Sequence, residues 1–138
     1  MARILTVDED ASTLSLITRV LGREGHEVVE ASSGKAALRL ARERSFDVSL
    51  VSHRISEWDG ISVLYRLREI QPACLRILVT GRLDIPTVVD AVNRGEVTRV
   101  ISKPVNPPDL VRAIENVLDA RRRLVEVARV QEAVASEQ

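Results

Sequence analysis

The sequence predicts an α/β protein built on a doubly wound, five-stranded parallel sheet. Short runs rich in β-branched residues alternate with longer runs of helical periodicity. Five such units follow one another, and strict alternation is typical of parallel sheets that are covered by helices on both faces. The predicted strands are Ile4–Val7, Glu27–Glu30, Val48–Val51, Leu75–Val79 and Arg99–Ile101.

The helical runs between these strands place apolar residues on one face. In the fourth helical run, Ile85, Val88, Val89 and Val92 share a face that we expect to be buried. The matching rows in the three earlier runs are Leu14, Ile17, Val20 and Leu21, then Ala37, Leu38, Leu40 and Ala41, then Ile61, Leu64, Tyr65 and Leu67.

Residues that cap or interrupt helices mark the helix boundaries. Asp10 or Ser12 can cap the first helix, which we expect to end at Gly25. The other boundary residues are Ser32 or Ser33 for the second helix, Gly60 and Pro72 for the third, Gly95 for the fourth, and Asn106–Asp109 for the fifth.

The last helix is expected to begin near Pro107 and to run to about Val134. Its apolar residues recur at heptad spacing, which is typical of a coiled-coil seam, and Gln131 is the one interruption. The seam residues are Leu110, Ala113, Val117, Ala120, Leu124, Val127 and Val134, and a second row of Val111, Ile114 and Leu118 is expected to face the sheet. Residues 1–120 are therefore the predicted globular domain. Residues 121–138 are a helical extension that forms a homodimer, links to an output domain, or packs as an amphipathic tail on its own domain.

Composition fits one globular domain and excludes several classes of protein. The 138 residues are 45% hydrophobic and 29% charged, and 20 basic side chains balance 20 acidic ones. The zero net charge gives no reason to expect direct nucleic-acid binding. A single cysteine excludes a disulfide framework. No run approaches the roughly 20 apolar residues of a membrane helix. We expect a cytoplasmic protein that does not insert into a membrane.

Polar residues cluster where four of the predicted strands end. Asp8 and Glu9 follow the first strand, Ser52 the third, Thr80 the fourth and Lys103 the fifth. The carboxyl edge of a parallel sheet is where such folds bind ligands. Adjacent carboxylates suit Mg²⁺, and a hydroxyl with an ammonium group can hold phosphoryl oxygens. Each residue alone fits a helix cap or a turn, but the combination predicts a phosphoryl site.

Five segments carry a resemblance to a known family: ILTVDED (4–10), EGHEVVEASSGKAAL (24–38), FDVSLVSHRISEWDG (46–60), ILVTG (77–81) and RVISKPV (99–105). Together they resemble the receiver domain of two-component response regulators over about residues 1–120. The resemblance implies a flavodoxin-like fold with strand order 2-1-3-4-5 and a signalling role without enzymatic activity. It also implies phosphoryl transfer from a histidine kinase to an aspartate at the end of the third strand. The expected partners are a histidine kinase or an output protein.

Several positions match the functional residues of that family. By resemblance, Asp8 and Glu9 correspond to the acidic pair that helps to bind Mg²⁺. Thr80 corresponds to the hydroxyl that contacts the phosphoryl group, and Lys103 to the family's pocket lysine. Pro104 follows that lysine, where the family often has a cis peptide bond.

Three positions depart from the family pattern. Ser52 stands where the family has its phosphoacceptor aspartate, Val100 where it has an aromatic switch residue, and Ser56 where proline is common. A serine hydroxyl is a weak nucleophile unless a base activates it. His53 is not expected to be that base, because successive strand residues point to opposite faces. With one carboxylate fewer we expect weak Mg²⁺ binding, which leaves Lys103 to pair with Asp8 or Glu9.

The sequence therefore favours a degenerate receiver, or pseudo-receiver, that acts through protein contacts. A receiver that is phosphorylated on Ser52 or Asp59 is the alternative. An unrelated flavodoxin-like enzyme is disfavoured, because neither a glycine-rich phosphate loop nor a nucleophile elbow occurs. An engineered Ser52 and a natural one are both compatible with the sequence, and the departures at Ser56 and Val100 favour the natural one.

Overall fold

The computed structural model describes residues 1–136 and has the α/β alternation that the sequence predicts. The strands are β1 (Arg3–Val7), β2 (Glu27–Ala31), β3 (Val48–Ser52), β4 (Arg54–Ile55), β5 (Trp58–Asp59), β6 (Leu75–Thr80) and β7 (Arg99–Ser102). The helices are α1 (Ala11–Arg23), α2 (Gly34–Glu43), α3 (Gly60–Ile70), α4 (Ile85–Gly95) and α5 (Pro107–Ser136).

Five parallel strands form the main sheet in the order β2-β1-β3-β6-β7. This confirms the predicted order 2-1-3-4-5, because the two extra strands lie outside the sheet. Each main strand is one residue longer than predicted. Ser52 and Thr80 are consequently the last residues of β3 and β6 rather than loop residues, and they pair in register with Val79 and Ser102.

A two-stranded antiparallel hairpin, β4–β5, follows β3 and was not predicted. Each of its strands has two residues, which is too short to show the alternation by which strands are recognised in a sequence. The hairpin pairs Ile55 with Trp58 and Arg54 with Asp59. It therefore rises from the end of the central strand, beside the carboxyl edge of the sheet.

The core has two layers, one on each face of the sheet. Helices α1 and α5 cover one face with apolar residues that include Ile17, Leu21 and Ile114. Helices α2, α3 and α4 cover the other face with residues that include Leu38, Leu64 and Ala91. Burial of these aliphatic side chains supplies the main driving force for folding.

The buried face predicted for the fourth helix is wrong. In α4, Ile85, Val89 and Val92 are exposed, and the buried residues are Ala91 and Gly95. Small residues let the backbone of α4 approach α3 closely, as the short distance from Gly95 to Leu64 shows. Periodicity identified the apolar stripe correctly but does not specify which face of the helix points inward.

Three helices begin at caps that the sequence predicts. Asp10, Ser33 and Asn106 accept backbone hydrogen bonds at the starts of α1, α2 and α5. The caps of α3 and α4, Asp59 and Asp84, were missed. Gly25 has a positive φ after α1, and Glu96 adopts a left-handed backbone conformation after α4.

The predicted coiled-coil seam of α5 is buried in the first part of the helix and exposed in the second part. Leu110, Ala113 and Val117 are buried in the domain, as are Ile114 and Leu118 of the second row. The seam prediction is wrong for this part, because two adjacent rows combine into the wide apolar face of a helix that packs on its own sheet. Beyond Leu118 the apolar residues of the helix are exposed. Among residues 1–136, no helix has the length and hydropathy needed to cross a lipid bilayer.

Gly60 allows a close contact that fixes the start of α3 against β3. Its amide N–H donates to His53 O at 2.8 Å, and a Cβ at this position would lie 1.9 Å from Ser52 O.

We expect Gly60→Ala to lower the free energy of unfolding by several kcal/mol, since the obstructing atom is backbone. The measurement is urea denaturation followed by Trp58 fluorescence. Gly22→Ala in α1 is the control, because nothing lies within 4 Å of its Cβ position. It should raise stability by about 0.5–1 kcal/mol. Equal stabilities of the two variants would contradict this account.

Candidate functional site

A cavity of about 400 Å³ lies at the carboxyl edge of the sheet. Its walls come from the ends of β1, β3, β6 and β7, the four strand ends at which the sequence places polar residues. The predicted residues that line it are Asp8, Glu9, Ser52, Thr80 and Lys103. The cavity also contains His53, Arg54 and Arg82, which sequence reasoning did not assign to the site.

The ammonium group of Lys103 joins three strand ends. Its Nζ donates to Asp8 Oδ2 at 2.8 Å and to Ser52 Oγ at 3.0 Å. The Asp8 side chain is 5% exposed, and its other oxygen accepts the Asp10 N–H at 3.0 Å. A buried carboxylate requires such partners because it has lost its water. The predicted pairing of Lys103 with an acidic residue is thus present, and the acid is Asp8.

Ser52 has no hydrogen-bonded base. Its Oγ accepts from Lys103 and lies 3.4 Å from Arg54 O, to which it donates. Within residues 1–136, neither an imidazole nor a carboxylate is hydrogen-bonded to this hydroxyl. Without a base to take its proton, the hydroxyl is a poor nucleophile.

His53 bridges the cavity and the hairpin instead of activating Ser52. Its Nδ1 lies 3.2 Å from Thr80 Oγ1, and its Nε2 lies 3.8 Å from Asp59 Oδ1. Thr80 Oγ1 also accepts the Arg82 N–H at 3.0 Å. The Thr80 side chain is therefore held on two sides. The position of His53 directly after the central strand was the one sequence feature that could have placed it here.

Glu9 lines the cavity, but its carboxylate is hydrogen-bonded to the hairpin. Its Oε2 accepts the backbone N–H of Ser56 at 3.1 Å and also the Ser56 hydroxyl. Asp59 is further from the cavity, because it caps α3 and lies 3.4 Å from the Arg94 guanidinium. Glu9 beside the hairpin and Asp59 within it are thus both bonded to other groups of this chain.

Asp10 is committed to the start of α1. Hydrogen bonds from Thr13 and Ser12 lower the pKa of its carboxyl below the usual value. Its carboxylate accepts the Ser12 N–H and both hydroxyls, so its oxygens are used in capping. Asp10 therefore lines the cavity without extending the acidic pair.

The donor set does not make up a complete magnesium site. Mg²⁺ requires several oxygen ligands in near-octahedral geometry. In the described part of the chain, no cluster of three or more acidic, histidine or cysteine side chains is placed to hold a metal ion. Of the two predicted ligands, Asp8 is bonded to Lys103 and Glu9 to Ser56.

Val100 lies on the edge strand β7 opposite Leu78. It is partly buried and packs against the apolar cluster on the α2–α4 face of the sheet. Pro104 follows Lys103 through a cis peptide bond, as the resemblance implies.

The strand order and the cavity at this edge define a flavodoxin-like α/β domain. Within that class, the family model for the response regulator receiver domain matches residues 4–115. The chain belongs to this family, whose members are signalling domains of two-component systems.

Known proteins of the family resemble the chain in sequence and in structure. The transcriptional regulatory protein ZraR of Escherichia coli O157:H7 is 34% identical over 115 residues, which are 83% of this chain and 26% of that protein. The alginate biosynthesis transcriptional regulatory protein AlgB of Pseudomonas aeruginosa is 32% identical over 120 residues, again 26% of its length. The chain thus spans about a quarter of these curated relatives.

Two solved structures illustrate the structural likeness. A response regulator receiver domain protein from Methanospirillum hungatei has a TM-score of 0.84 at 30% identity, with 89% of this chain and 98% of that chain covered. NtrX from Brucella abortus has a TM-score of 0.86 at 26% identity, with 94% of this chain and 30% of that chain covered.

The Lys103–Asp8 pair can be tested by a double-mutant cycle. Lys103→Met leaves the Asp8 carboxylate buried without its counter-ion, so we expect a loss of about 2–3 kcal/mol in the free energy of unfolding. Adding Asp8→Asn should recover part of that loss, which chemical denaturation of the single and double variants would measure. Arg112→Met is the matched control, because its pair with Asp109 is exposed on both sides. It should cost less than about 1 kcal/mol. A Lys103→Met variant as stable as the control would contradict the role of the pair.

Proposed function

We propose that the chain is a degenerate receiver domain that signals through protein contacts rather than through aspartyl phosphorylation. The carrying observation is Ser52 at the end of β3, where its hydroxyl is bonded to Lys103 and, in the described part of the chain, to no base. By family resemblance this is the phosphoacceptor position. An aspartate there would be an ionised nucleophile at pH 7, whereas a serine hydroxyl is not ionised.

The contacts around the cavity support a single resting state. Lys103 holds Asp8 and Ser52, while Arg82 and His53 hold Thr80. All of these hydrogen-bond partners belong to the chain itself. A ligand shifts an equilibrium only when it contacts two states differently. Val100, the proposed switch position, has no aromatic ring that could follow a movement of Thr80.

Phosphorylation of a non-standard residue is the alternative function. Thr80 and Lys103 remain in the cavity and favour it. Ser52 is hydrogen-bonded to Lys103, but within residues 1–136 no base is hydrogen-bonded to its hydroxyl. Asp59 is bonded to Arg94 and to the first turn of α3. An adduct on Asp59 would require the hairpin to move. We therefore rank this alternative second.

Weak Mg²⁺ binding is part of the same proposal. Asp8 and Glu9 are the ligands expected from the family, and each already has a partner within the chain. A cation must compete with Lys103 for Asp8. We propose that Mg²⁺ binds weakly and that signalling does not depend on it.

The proposed partners are signalling proteins, either a histidine kinase or an output protein, in the cytoplasm. Direct nucleic-acid contact is not proposed, because the chain has no net charge. Relatives named as transcriptional regulatory proteins are about four times as long as the matched region. A regulatory module of a larger assembly is therefore the role that we propose.

The far half of α5 supports a homodimer. Leu124 is 72% exposed, and Val127 and Val134 are about half exposed on the same stripe. Beyond Leu118 no side chain of the described helix is buried. An isolated helix of this length is marginal in water unless its apolar stripe packs against something. We propose a second copy as the partner, because heptad spacing makes the stripe complementary to itself.

Phosphoryl acceptance is tested by intact-protein mass after incubation with acetyl phosphate and Mg²⁺. We expect no adduct on the wild-type chain and an adduct on Ser52→Asp, because only the variant has an ionised carboxylate at the phosphoacceptor position. Ser52→Ala is the matched control and should also stay unmodified. An adduct on the wild-type chain would contradict the degenerate-receiver proposal. Its loss in Ser52→Ala or in Asp59→Asn would then identify the acceptor.

Dimerisation through α5 is tested by sedimentation velocity over a range of concentrations. We expect the wild-type chain to form a concentration-dependent dimer and Leu124→Glu to be a monomer, because the variant buries a charge in the seam. Val125→Glu is the control, since Val125 is also exposed but lies off the stripe. It should still dimerise. A wild-type chain that stays monomeric, or two variants that behave alike, would exclude this interface.

A further inference from the structure

The tip of the β4–β5 hairpin binds the side chain of Glu9. Ser56 lies at this tip, and both its backbone N–H and its hydroxyl donate to Glu9 Oε2. The two donors converge on one carboxylate oxygen from a residue 47 positions away in sequence. Glu9 itself is exposed, so burial does not force this orientation.

Both bonds depend on the residue type at position 56. Proline, which the family commonly has at this position, has neither a backbone N–H nor a hydroxyl. It could make neither contact. Hydrogen bonds to an ionised carboxylate are among the stronger ones in proteins. A cation that recruits Glu9 must therefore break or share these bonds.

Asp8, the other predicted metal ligand, is also held by hydrogen bonds within the chain. Asp8 Oδ2 lies 2.8 Å from the Lys103 ammonium, and Asp8 Oδ1 accepts the Asp10 N–H. The two carboxylates of the acidic pair are thus held by two different groups of this chain, on two sides of the cavity mouth. The contact between Ser56 and Glu9 does not involve position 52, whereas the Lys103 that holds Asp8 also bonds to Ser52.

We propose that Ser56 is a specificity-determining residue that lowers the affinity of this cavity for divalent cations by holding Glu9 on the hairpin. The inference rests on the proposed function and deepens it, since weak cation binding then has two separable causes. One cause is the absent carboxylate at Ser52. The other is the capture of Glu9 by Ser56. The same contact holds the hairpin beside the end of β1.

The experiment measures Mg²⁺ affinity in a chain in which the carboxylate at position 52 has been restored. Trp58 is the single tryptophan, lies two residues from Ser56 and is partly buried, so its fluorescence reports on the hairpin. Fluorescence titrations with MgCl₂, checked by calorimetry, would compare Ser52→Asp with the double variants Ser52→Asp/Ser56→Ala and Ser52→Asp/Ser56→Pro.

We expect the affinity for Mg²⁺ to rise about threefold in the alanine double variant and about tenfold in the proline one, since a tenfold change corresponds to the loss of about one hydrogen bond to a charged group. The alanine variant keeps the backbone N–H and is the milder change. Its Mg²⁺ affinity therefore still tests the role of the Ser56 hydroxyl if proline disturbs the hairpin. Ser52→Asp/Ser62→Ala is the matched control, because Ser62 on α3 accepts a hydrogen bond from Arg94 of α4, and its affinity should be unchanged.

Equal affinities of Ser52→Asp and its two Ser56 variants, including no binding by any of them, would overturn the role of Ser56. That result would leave the degenerate-receiver proposal intact, because it does not concern the acceptor. A phosphoryl adduct on wild-type Ser52 would instead overturn the proposed function, and the order of Mg²⁺ affinities would still decide the role of Ser56.

Discussion

The arrangement of the carboxyl edge depends on the ammonium group of Lys103. One cation reaches the ends of β1 and β3 from the loop after β7, and it neutralises the most deeply buried acid of the cavity. The ammonium group and the Asp8 carboxylate therefore balance each other's charge within the chain. The neighbouring contacts of Thr80 and Glu9 follow the same pattern, because each polar group finds its partner within the chain.

Most of the fold could be predicted because its determinants are local and repeated. The alternation of strands and helices, three of the caps and the extent of α5 follow from periodicity and from residues with strong positional preferences, whereas the strand order was implied by the family resemblance. The face of α4 could not be predicted, since only the packing of Ala91 and Gly95 against α3 decides which side is inward. The hairpin was missed because pairs of two residues carry no periodic pattern.

The members of the site could be predicted better than their pairings. Asp8, Ser52, Thr80 and Lys103 meet at the cavity because parallel strands end at one edge. The partners of His53 and Glu9 could not be foreseen, as both lie on or beside the unpredicted hairpin.

The heptad pattern gave a wrong prediction for the first half of α5 for a related reason. One apolar row can face either the sheet or a partner, and sequence spacing is the same in both cases.

Helix α5 is continuous from its buried turns to Ser136. A straight α-helix turns by about 100° per residue, so the direction in which Val134 points relative to the sheet is fixed by residue count alone. Inserting or deleting one residue after Leu118 would rotate the exposed apolar stripe to a different side of the domain. Inserting or deleting seven residues would nearly restore the direction in which the stripe faces. The extension therefore acts as a rod with a defined angular phase, and its length sets the relative orientation of whatever is attached to its two ends.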